Sequence, residues 1–208
     1  MFKLFIFDLD MTLINSLQAM KKVYSEICRL IGKKRSQKEF LEFIGRSVTK
    51  NADYFHKLNP KISKQKIRRT AIQTFLKSVS KVKPYKPNIV QQLNKRGIKT
   101  AIITNNAFTL AKNICEKFNI KPNAILADEQ LKARGKAWAI KQLIKRFKLK
   151  PEDVLYIGDH KNDIIAARKA KVKSAIIKRK TTKLGKFKPD YFFTSLKTLA
   201  NFFNFSSK

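Results

Sequence analysis

Short apolar runs alternate with longer stretches of helical periodicity over most of the chain. The apolar runs lie at residues 2–7, 98–103, 123–127, 153–157, 174–177 and 191–193. Runs of this length without polar alternation are typical of strands buried on both faces of a parallel sheet. Helical spacing of apolar residues follows at residues 87–96, 108–118, 137–147, 164–170 and 196–203. The pattern predicts an α/β fold with a doubly wound parallel sheet.

Residues 15–83 interrupt this alternation. Their apolar positions follow helical spacing, and the spacing breaks near Gly32 and Gly45. The pattern predicts about four helices and no strand, inserted after the first strand of the sheet. We therefore expect residues 1–14 and 84–208 to form the α/β core, and residues 15–83 to form a second, all-helical domain.

The charge balance changes what partners are expected. The chain of 208 residues has 47 Lys and Arg against 14 Asp and Glu, a net charge of +33. Such a field attracts nucleic acid and phosphorylated metabolites, although a lysine-rich surface without such a role is an open alternative. No apolar run approaches the roughly 20 residues of a membrane span, and the N-terminus lacks a signal-peptide pattern. We expect a soluble, cytoplasmic protein without a membrane partner, and its oligomeric state stays open.

Four of the 14 acidic residues fall at the ends of two predicted strands. Asp8 and Asp10 follow the first strand, and Asp159 and Asp163 follow the strand at 153–157. In an open α/β sheet the carboxyl ends of the strands form the ligand-binding edge. Carboxylates that meet there raise one another's pKa unless a cation lies between them, and Mg²⁺ prefers oxygen ligands. The pattern predicts a Mg²⁺ site at which one carboxylate attacks phosphorus and another transfers protons.

Other polar residues fall at the same predicted edge. Thr12 follows Asp10, and Thr104 and Asn105 follow the second apolar run. Their hydroxyl and amide groups suit the oxygens of a phosphate. Lys136 lies at the start of a predicted helix, where an ammonium can neutralise a phosphoryl group and the nucleophile.

These segments occur in an order that resembles the haloacid dehalogenase superfamily of phosphohydrolases, in particular its phosphoglycolate-phosphatase-like branch. The matching segments are FIFDLDMT, IITNN, GKAWAI and IGDHKND. The resemblance spans residues 2 to about 195 and implies a Rossmann-like core. The family places a mobile cap between the first two motifs, where this chain has its inserted helices. Arg46, at a predicted turn between those helices, is our candidate for a substrate contact from the cap.

The resemblance implies a role for each acidic residue. Asp8 would be the nucleophile and a Mg²⁺ ligand. Asp10 would be the general acid and base, and its backbone carbonyl would bind the metal. Asp159 would bind Mg²⁺ directly or through water, and Asp163 would support the metal site. Met11 stands where relatives commonly have glycine.

The same resemblance implies roles for the uncharged and basic motif residues. Thr104 would donate a hydrogen bond to the phosphoryl oxygens, and Asn105 would assist it. Lys136 would balance the negative charge. Lys132 and Arg134 lie close by in the sequence and are the alternatives to Lys136.

The sequence thus predicts a Mg²⁺-dependent phosphatase that hydrolyses the phosphate monoester of a small metabolite through an aspartyl-phosphate. Three alternatives stay open. The positive charge is compatible with a phosphatase that processes nucleic-acid ends, and the motifs do not separate a hydrolase from a phosphosugar mutase. A non-catalytic nucleic-acid-binding protein on the same fold is the third alternative, and the four retained acidic residues speak against it.

Overall fold

The predicted apolar runs form one parallel sheet in the computed structural model, which describes residues 1–86, 88–131 and 134–205. Its six strands are ordered β5-β4-β1-β6-β7-β8, and a separate two-stranded sheet pairs β2 with β3. The strands are β1 (Leu4–Phe7), β2 (Ile14–Asn15), β3 (Lys83–Pro84), β4 (Lys99–Ile103), β5 (Ala124–Leu126), β6 (Val154–Gly158), β7 (Lys173–Ile177) and β8 (Tyr191–Phe193). The predicted doubly wound α/β fold is confirmed.

Strand β1 is central because its side chains are apolar on both faces. Phe5 and Phe7 belong to the core on one side of the sheet, and Leu4 and Ile6 to the core on the other. All four are completely buried. β1 pairs in parallel with β4 on one side and with β6 on the other. The chain extends the sheet from β4 to β5 and then returns to β6, so the topological switch point lies beside β1.

Helices cover both faces of this sheet and form the insertion. They are α1 (Leu17–Leu30), α2 (Gln37–Ile44), α3 (Val48–Leu58), α4 (Lys64–Lys77), α5 (Ile89–Lys95), α6 (Phe108–Lys117), α7 (Asp128–Leu131), α8 (Gly135–Arg146), α9 (Lys161–Ala170) and α10 (Leu196–Phe202). Single 3-10 turns lie at Val79–Lys81 and Pro151–Asp153. Helices α1 to α4 form the helical insertion between β1 and β4. Ser36, Ser47 and Ser63 cap α2, α3 and α4 by accepting a backbone N–H, which explains where these helices begin.

The prediction of no strand within residues 15–83 is wrong at both margins. Asn15 pairs with Lys83, and Ile14 with Pro84, in a short antiparallel ladder. Two residues are too few to show a period, so the sequence pattern could not reveal this pairing. The ladder brings the entry and exit of the insertion side by side. The division into a core and a cap at these positions stays a prediction.

The structure also describes the state of the two cysteines and the length and polarity of the helices. Cys28 in α1 and Cys115 in α6 are both buried and form no disulfide. In the described ranges, every helix is too short or too polar to cross a bilayer.

A buried carboxylate ties three helices of the insertion together. Glu39 in α2 accepts a hydrogen bond from the hydroxyl of Tyr24 in α1 and one from the hydroxyl of Tyr54 in α3, each at 2.6 Å. Lys33 lies 2.9 Å from the same carboxylate. Burial alone would raise the pKa of Glu39, but these partners lower it below its ordinary value of 4.5. Glu39 is therefore held in its charged form.

We predict that Glu39→Gln lowers the free energy of unfolding at pH 7 by about 1–3 kcal/mol, because hydrogen bonds to a charged acceptor are lost. The control is Glu26→Gln, which removes an exposed ion pair with Arg29 and should change stability by less than about 0.5 kcal/mol. Urea denaturation measures both variants.

The same experiment has a pH signature. The stabilisation by Glu39 is complete above its unfolded-state pKa and is lost as the pH falls through the lowered folded-state pKa. The difference between the wild type and Glu39→Gln should therefore shrink at acidic pH. Equal stability of the two proteins at pH 7 would contradict the prediction.

Candidate active site

Three carboxylates converge where β1 and β6 end. Phe7 pairs with Ile157, and the N–H of Asp8 donates to the carbonyl of Ile157 at 2.8 Å, so the residues that follow each strand emerge together. Asp8, Asp159 and Asp163 each offer an oxygen, and these oxygens lie within 4.8 Å of one another. All three residues are buried. The structure thus brings together three of the acidic residues singled out in the sequence.

A single ammonium group lies between two of these carboxylates. Nζ of Lys136 is 2.9 Å from Oδ1 of Asp8 and 2.8 Å from Oδ1 of Asp163. The lysine is the second residue of α8, and the helix begins at Gly135 with a φ of +70°. Among the alternatives, Arg134 lies over the ring of Trp138 at 4.9 Å from its centroid. Lys132 lies outside the described residues.

The electrostatics of this cluster favour an additional cation. Burial raises the pKa of Asp8 to about 7, even though Lys136 lowers it. Burial and the neighbouring carboxylates raise the pKa of Asp159 well above its ordinary value. Burial alone would lower the pKa of Lys136, but Asp163 and Asp8 raise it well above its ordinary value, so it is charged. One ammonium among three buried carboxylates leaves negative charge uncompensated, and an all-oxygen donor set suits a hard divalent ion.

Asp163 organises the cluster through both of its oxygens. Oδ2 accepts from the backbone N–H of Asp159 at 3.2 Å and from that of His160 at 3.0 Å. Oδ1 accepts from Lys136 and, at 3.3 Å, from the hydroxyl of Tyr156. The bond to the N–H of His160 caps α9, which therefore begins at Lys161, three residues earlier than predicted. Asp163 thereby fixes the loop that carries Asp159.

Gly158 is a site residue that the sequence reasoning missed. A Cβ atom at this position would overlap the carboxyl group of Asp163. Only a glycine at the end of β6 lets that carboxylate fold back against the strand. The segment IGDHKND contains this glycine, but only its acidic residues marked the predicted site.

Asp10 lies beside the cluster with its carboxylate held by two side chains. Oδ1 accepts from the hydroxyl of Ser16 at 2.6 Å, and Oδ2 accepts from the amide of Asn106 at 2.5 Å. Burial raises the pKa of Asp10 to about 6 against the lowering effect of these hydrogen bonds. Ser16 was not singled out in the sequence, because a serine after a strand carries no distinctive signal.

The predicted phosphate-binding residues are engaged with the protein. The hydroxyl of Thr12 donates to Oδ1 of Asp159 at 3.4 Å, and that of Thr104 accepts from the N–H of Asn106 at 3.1 Å. The carbonyl of Asn105 accepts from the N–H of Val48 at 3.2 Å, which joins the core to the insertion. Asn105 lines the cavity in front of the carboxylates.

The loop after β1 is fixed by Arg179, which the sequence reasoning also missed. Its guanidinium donates to the carbonyl of Met11 at 2.6 Å and to that of Thr12 at 3.2 Å. It also lies over the ring of Tyr85, 3.6 Å from the centroid. Met11 has a φ of +57°, in the left-handed region that favours glycine. The two hydrogen bonds from Arg179 to the carbonyls of Met11 and Thr12 stabilise the backbone in this conformation. Arg179 gave no signal among so many basic residues.

Arg46 faces the same cavity as Asp8 from the insertion. Its Nη2 lies 2.5 Å from Oε2 of Glu42, and its guanidinium lies 4.2 Å from the centroid of the Tyr54 ring. The predicted turn between helices thus places Arg46 in the lining of the cavity that also contains the carboxylates.

Residues 5–177 match the family described as haloacid dehalogenase-like hydrolase. This match covers most of the chain, and the chain therefore belongs to the haloacid dehalogenase-like hydrolases. The protein is therefore an enzyme, and its curated relatives in this family include phosphatases.

Two relatives illustrate the range within the family. The chain is 28% identical over 184 residues to a phosphoglycolate phosphatase of Haemophilus influenzae, covering 81% of this chain and 82% of the relative. It is 25% identical over 203 residues to the pyrophosphatase PpaX of Halalkalibacterium halodurans, covering 93% of both chains.

Solved structures share the fold. CbbY from Rhodobacter sphaeroides in complex with phosphate superimposes with a TM-score of 0.82 at 17% identity, over 96% of both chains. A hydrolase from Pseudomonas syringae gives the same TM-score at 17% identity, over 99% of this chain and 100% of the other.

We predict that Gly158→Ala displaces the carboxylate of Asp163, because the added Cβ overlaps it. The variant should lower the free energy of unfolding by about 1–3 kcal/mol and reduce hydrolase activity by at least about tenfold, because Asp163 orients both Asp159 and Lys136. Thermal unfolding and the rate of phosphate release from an aryl phosphate measure the two effects.

The control is Gly32→Ala. Gly32 follows α1 with a φ of +72°, and a Cβ there meets no atom within 4 Å. This variant should lose about 1–2 kcal/mol of stability from backbone strain while its activity is unchanged. Full activity in Gly158→Ala would refute the positional role of Asp163.

Proposed function

We propose that this chain is a Mg²⁺-dependent phosphatase that hydrolyses the phosphate monoester of a small metabolite through an aspartyl-phosphate on Asp8. The observation that carries the proposal is the buried cluster of Asp8, Asp159 and Asp163 with Lys136 between two of its members. An ion pair that only stabilises the fold would not need a third buried carboxylate beside Lys136 and its two partners. The extra carboxylate at the ligand-binding edge of the sheet therefore points to a bound ligand. The positions of these groups suit nucleophilic attack on phosphorus and the binding of a cation.

The donor set supports a magnesium ion. Asp8 and Asp159 would hold it, Asp163 would support it, and the backbone carbonyl of Asp10 would be a further ligand. When bound, Mg²⁺ supplies positive charge that stabilises the phosphoryl group in the transition state. The oxygens of the three carboxylates lie close enough together to share one ion.

In the first half-reaction, a carboxylate oxygen of Asp8 attacks the phosphorus atom of the substrate. The bond from phosphorus to the ester oxygen breaks, and a phosphoryl group is left on Asp8. Asp10 donates a proton to the departing oxygen, which leaves as an alcohol. Ser16 and Asn106 support this role because they hold the Asp10 carboxylate in one orientation beside Asp8.

In the second half-reaction, water attacks the phosphorus atom and Asp10 accepts a proton from it. The bond between phosphorus and the Asp8 oxygen breaks, so inorganic phosphate leaves and the carboxylate is restored. Lys136 holds Asp8 throughout by its 2.9 Å contact and offsets negative charge. Thr12, Thr104 and Asn105 are the proposed contacts for phosphoryl oxygens.

We also propose that residues 15–83 act as a cap over this site. Their contacts with the core support this role. The N–H of Thr49 in α3 donates to Oδ2 of Asp128 at 3.1 Å, and Arg68 in α4 pairs with Asp128 and Glu129 at 3.1 and 2.6 Å. A cap docked in this way excludes water from the reacting groups.

The nucleic-acid alternatives rest on the net charge alone.

The phosphosugar mutase and the phosphatase share the first half-reaction, and they differ in whether water or a second hydroxyl accepts the phosphoryl group. Release of free phosphate favours the hydrolase. Assays should therefore include a 5′-phosphorylated oligonucleotide and a sugar phosphate.

We predict that Asp8→Asn lowers the hydrolysis of 4-nitrophenyl phosphate by at least about a thousandfold, because the nucleophile is lost. The matched control is Asp53→Asn, which removes an exposed ion pair with Lys64 and should leave the rate unchanged. Acid-quenched wild-type protein should carry phosphate on the peptide that contains Asp8. Undiminished turnover by Asp8→Asn would exclude the mechanism.

We predict that chelation with EDTA abolishes the activity and that added Mg²⁺ restores it, because the carboxylate cluster is otherwise undercompensated. Mg²⁺ should also raise the melting temperature of the wild type, since a ligand of the folded state stabilises that state. Asp159→Asn should show a smaller rise, and Asp53→Asn the full rise. An equal rise in Asp159→Asn would contradict the assignment of this metal ligand.

A further inference from the structure

The cavity in front of the carboxylates continues into the insertion, and its character changes there. One end is formed by Asp8, Lys136 and Asp159. The other end is formed mainly by aliphatic and aromatic side chains, including those of Met20, Val23, Phe43, Ile44, Val48 and Leu110. Any part of a substrate that extends from the phosphoryl group into the insertion is therefore surrounded mainly by apolar side chains.

The cations of this cavity are already neutralised. Among its described lining residues, Arg46 and Lys136 are the ones with a permanent positive charge. Lys136 is held by Asp8 and Asp163. Arg46 is paired with Glu42 at 2.5 Å. A second anionic group on a substrate would find no uncompensated cation among these residues.

The backbone donors at the start of α3 are also engaged. The first backbone N–H groups of α3 donate to the carbonyl of Asn105, to the carboxylate of Asp128 and to the hydroxyl of Ser47. Arg68 pairs with Asp128 and Glu129. The positive end of α3 is therefore already occupied by groups of the protein.

Three polar atoms of residues that line the cavity have no hydrogen-bond partner within the described residues: the hydroxyl of Thr181, which lies after β7, and two atoms in the insertion. Oδ1 of Asn51 is one of these two, and this residue is only 6% exposed. Its Nδ2 donates to the carbonyl of Phe43 at 3.0 Å, which sets the orientation of the amide. Nη1 of Arg46 is the other. The insertion thus offers one acceptor and one donor in an otherwise apolar enclosure.

Building on the proposed function, we infer that the leaving group of the substrate is an uncharged, largely apolar alcohol that carries a hydroxyl or amide. Such a group donates to Oδ1 of Asn51 and accepts from Nη1 of Arg46. A carboxylate or a second phosphate would be buried without a free counter-charge and beside an amide oxygen, which is unfavourable. The enzyme therefore discriminates against phosphoglycolate and pyrophosphate.

A pair of nearly isosteric esters tests this inference. The probes are 2-phosphoglycolate and its primary amide, carbamoylmethyl phosphate, assayed for phosphate release with Mg²⁺, with pyrophosphate as a third probe. We expect kcat/KM for the amide to exceed that for either anionic probe by at least about tenfold. An equal or higher kcat/KM for phosphoglycolate or pyrophosphate would overturn the inference and leave the proposed function intact. No Asp8-dependent turnover of any probe or of 4-nitrophenyl phosphate would overturn both.

The variant Glu42→Gln tests whether the ion pair between Arg46 and Glu42 causes this discrimination. Glu42 is half exposed, and its removal leaves the charge of Arg46 uncompensated. The ratio of kcat/KM for phosphoglycolate to that for the amide should rise by about five- to tenfold. Glu26→Gln removes an ion pair in α1 whose residues do not line the cavity, and it should leave the ratio unchanged. A ratio that stays constant in Glu42→Gln would overturn the explanation.

Discussion

The site depends on one ammonium group placed among buried carboxylates. Lys136 contacts Asp8 and Asp163 at hydrogen-bond distance, and Asp159 lies beside them with no salt bridge to any residue that the structure describes. Three carboxylates cannot be charged together at one buried place unless positive charge is supplied. The lysine supplies part of it, and the remainder is the physical basis for a metal site. The ends of β1 and β6 and the starts of α8 and α9 are arranged around this one requirement.

The scaffold meets this requirement through groups that never touch the substrate. Gly158 leaves room for the carboxylate of Asp163, which in turn holds Lys136 and the N–H of Asp159. Arg179 fixes the loop after β1 through two carbonyl groups. Positioning of this kind decides reactivity, since displacements of about 1 Å at a reacting centre cost large factors in rate.

The net charge of +33 describes the surface and not the site. Four of the chain's few acidic residues lie at the site, and the cations of the cavity are each paired with a carboxylate. The long-range field attracts anions in general, whereas the enclosure beyond the carboxylates is apolar. Attraction toward the protein and selection within the cavity are therefore set by different residues, which is why composition alone left several substrate classes open.

Hydrophobic periodicity is a local property, so the sequence predicted the six strands of the main sheet and most of the helices, although not the β2–β3 ladder or α7. It also marked Asp8, Asp10, Asp159 and Asp163 by their place after apolar runs. The fold was needed to show which of the nearby cations contacts these carboxylates. Lys136 meets Asp8 across 128 positions of the chain, whereas Arg134 turns to Trp138. Such partnerships depend on strand register and helix packing over long separations, and these leave no periodic trace in the sequence.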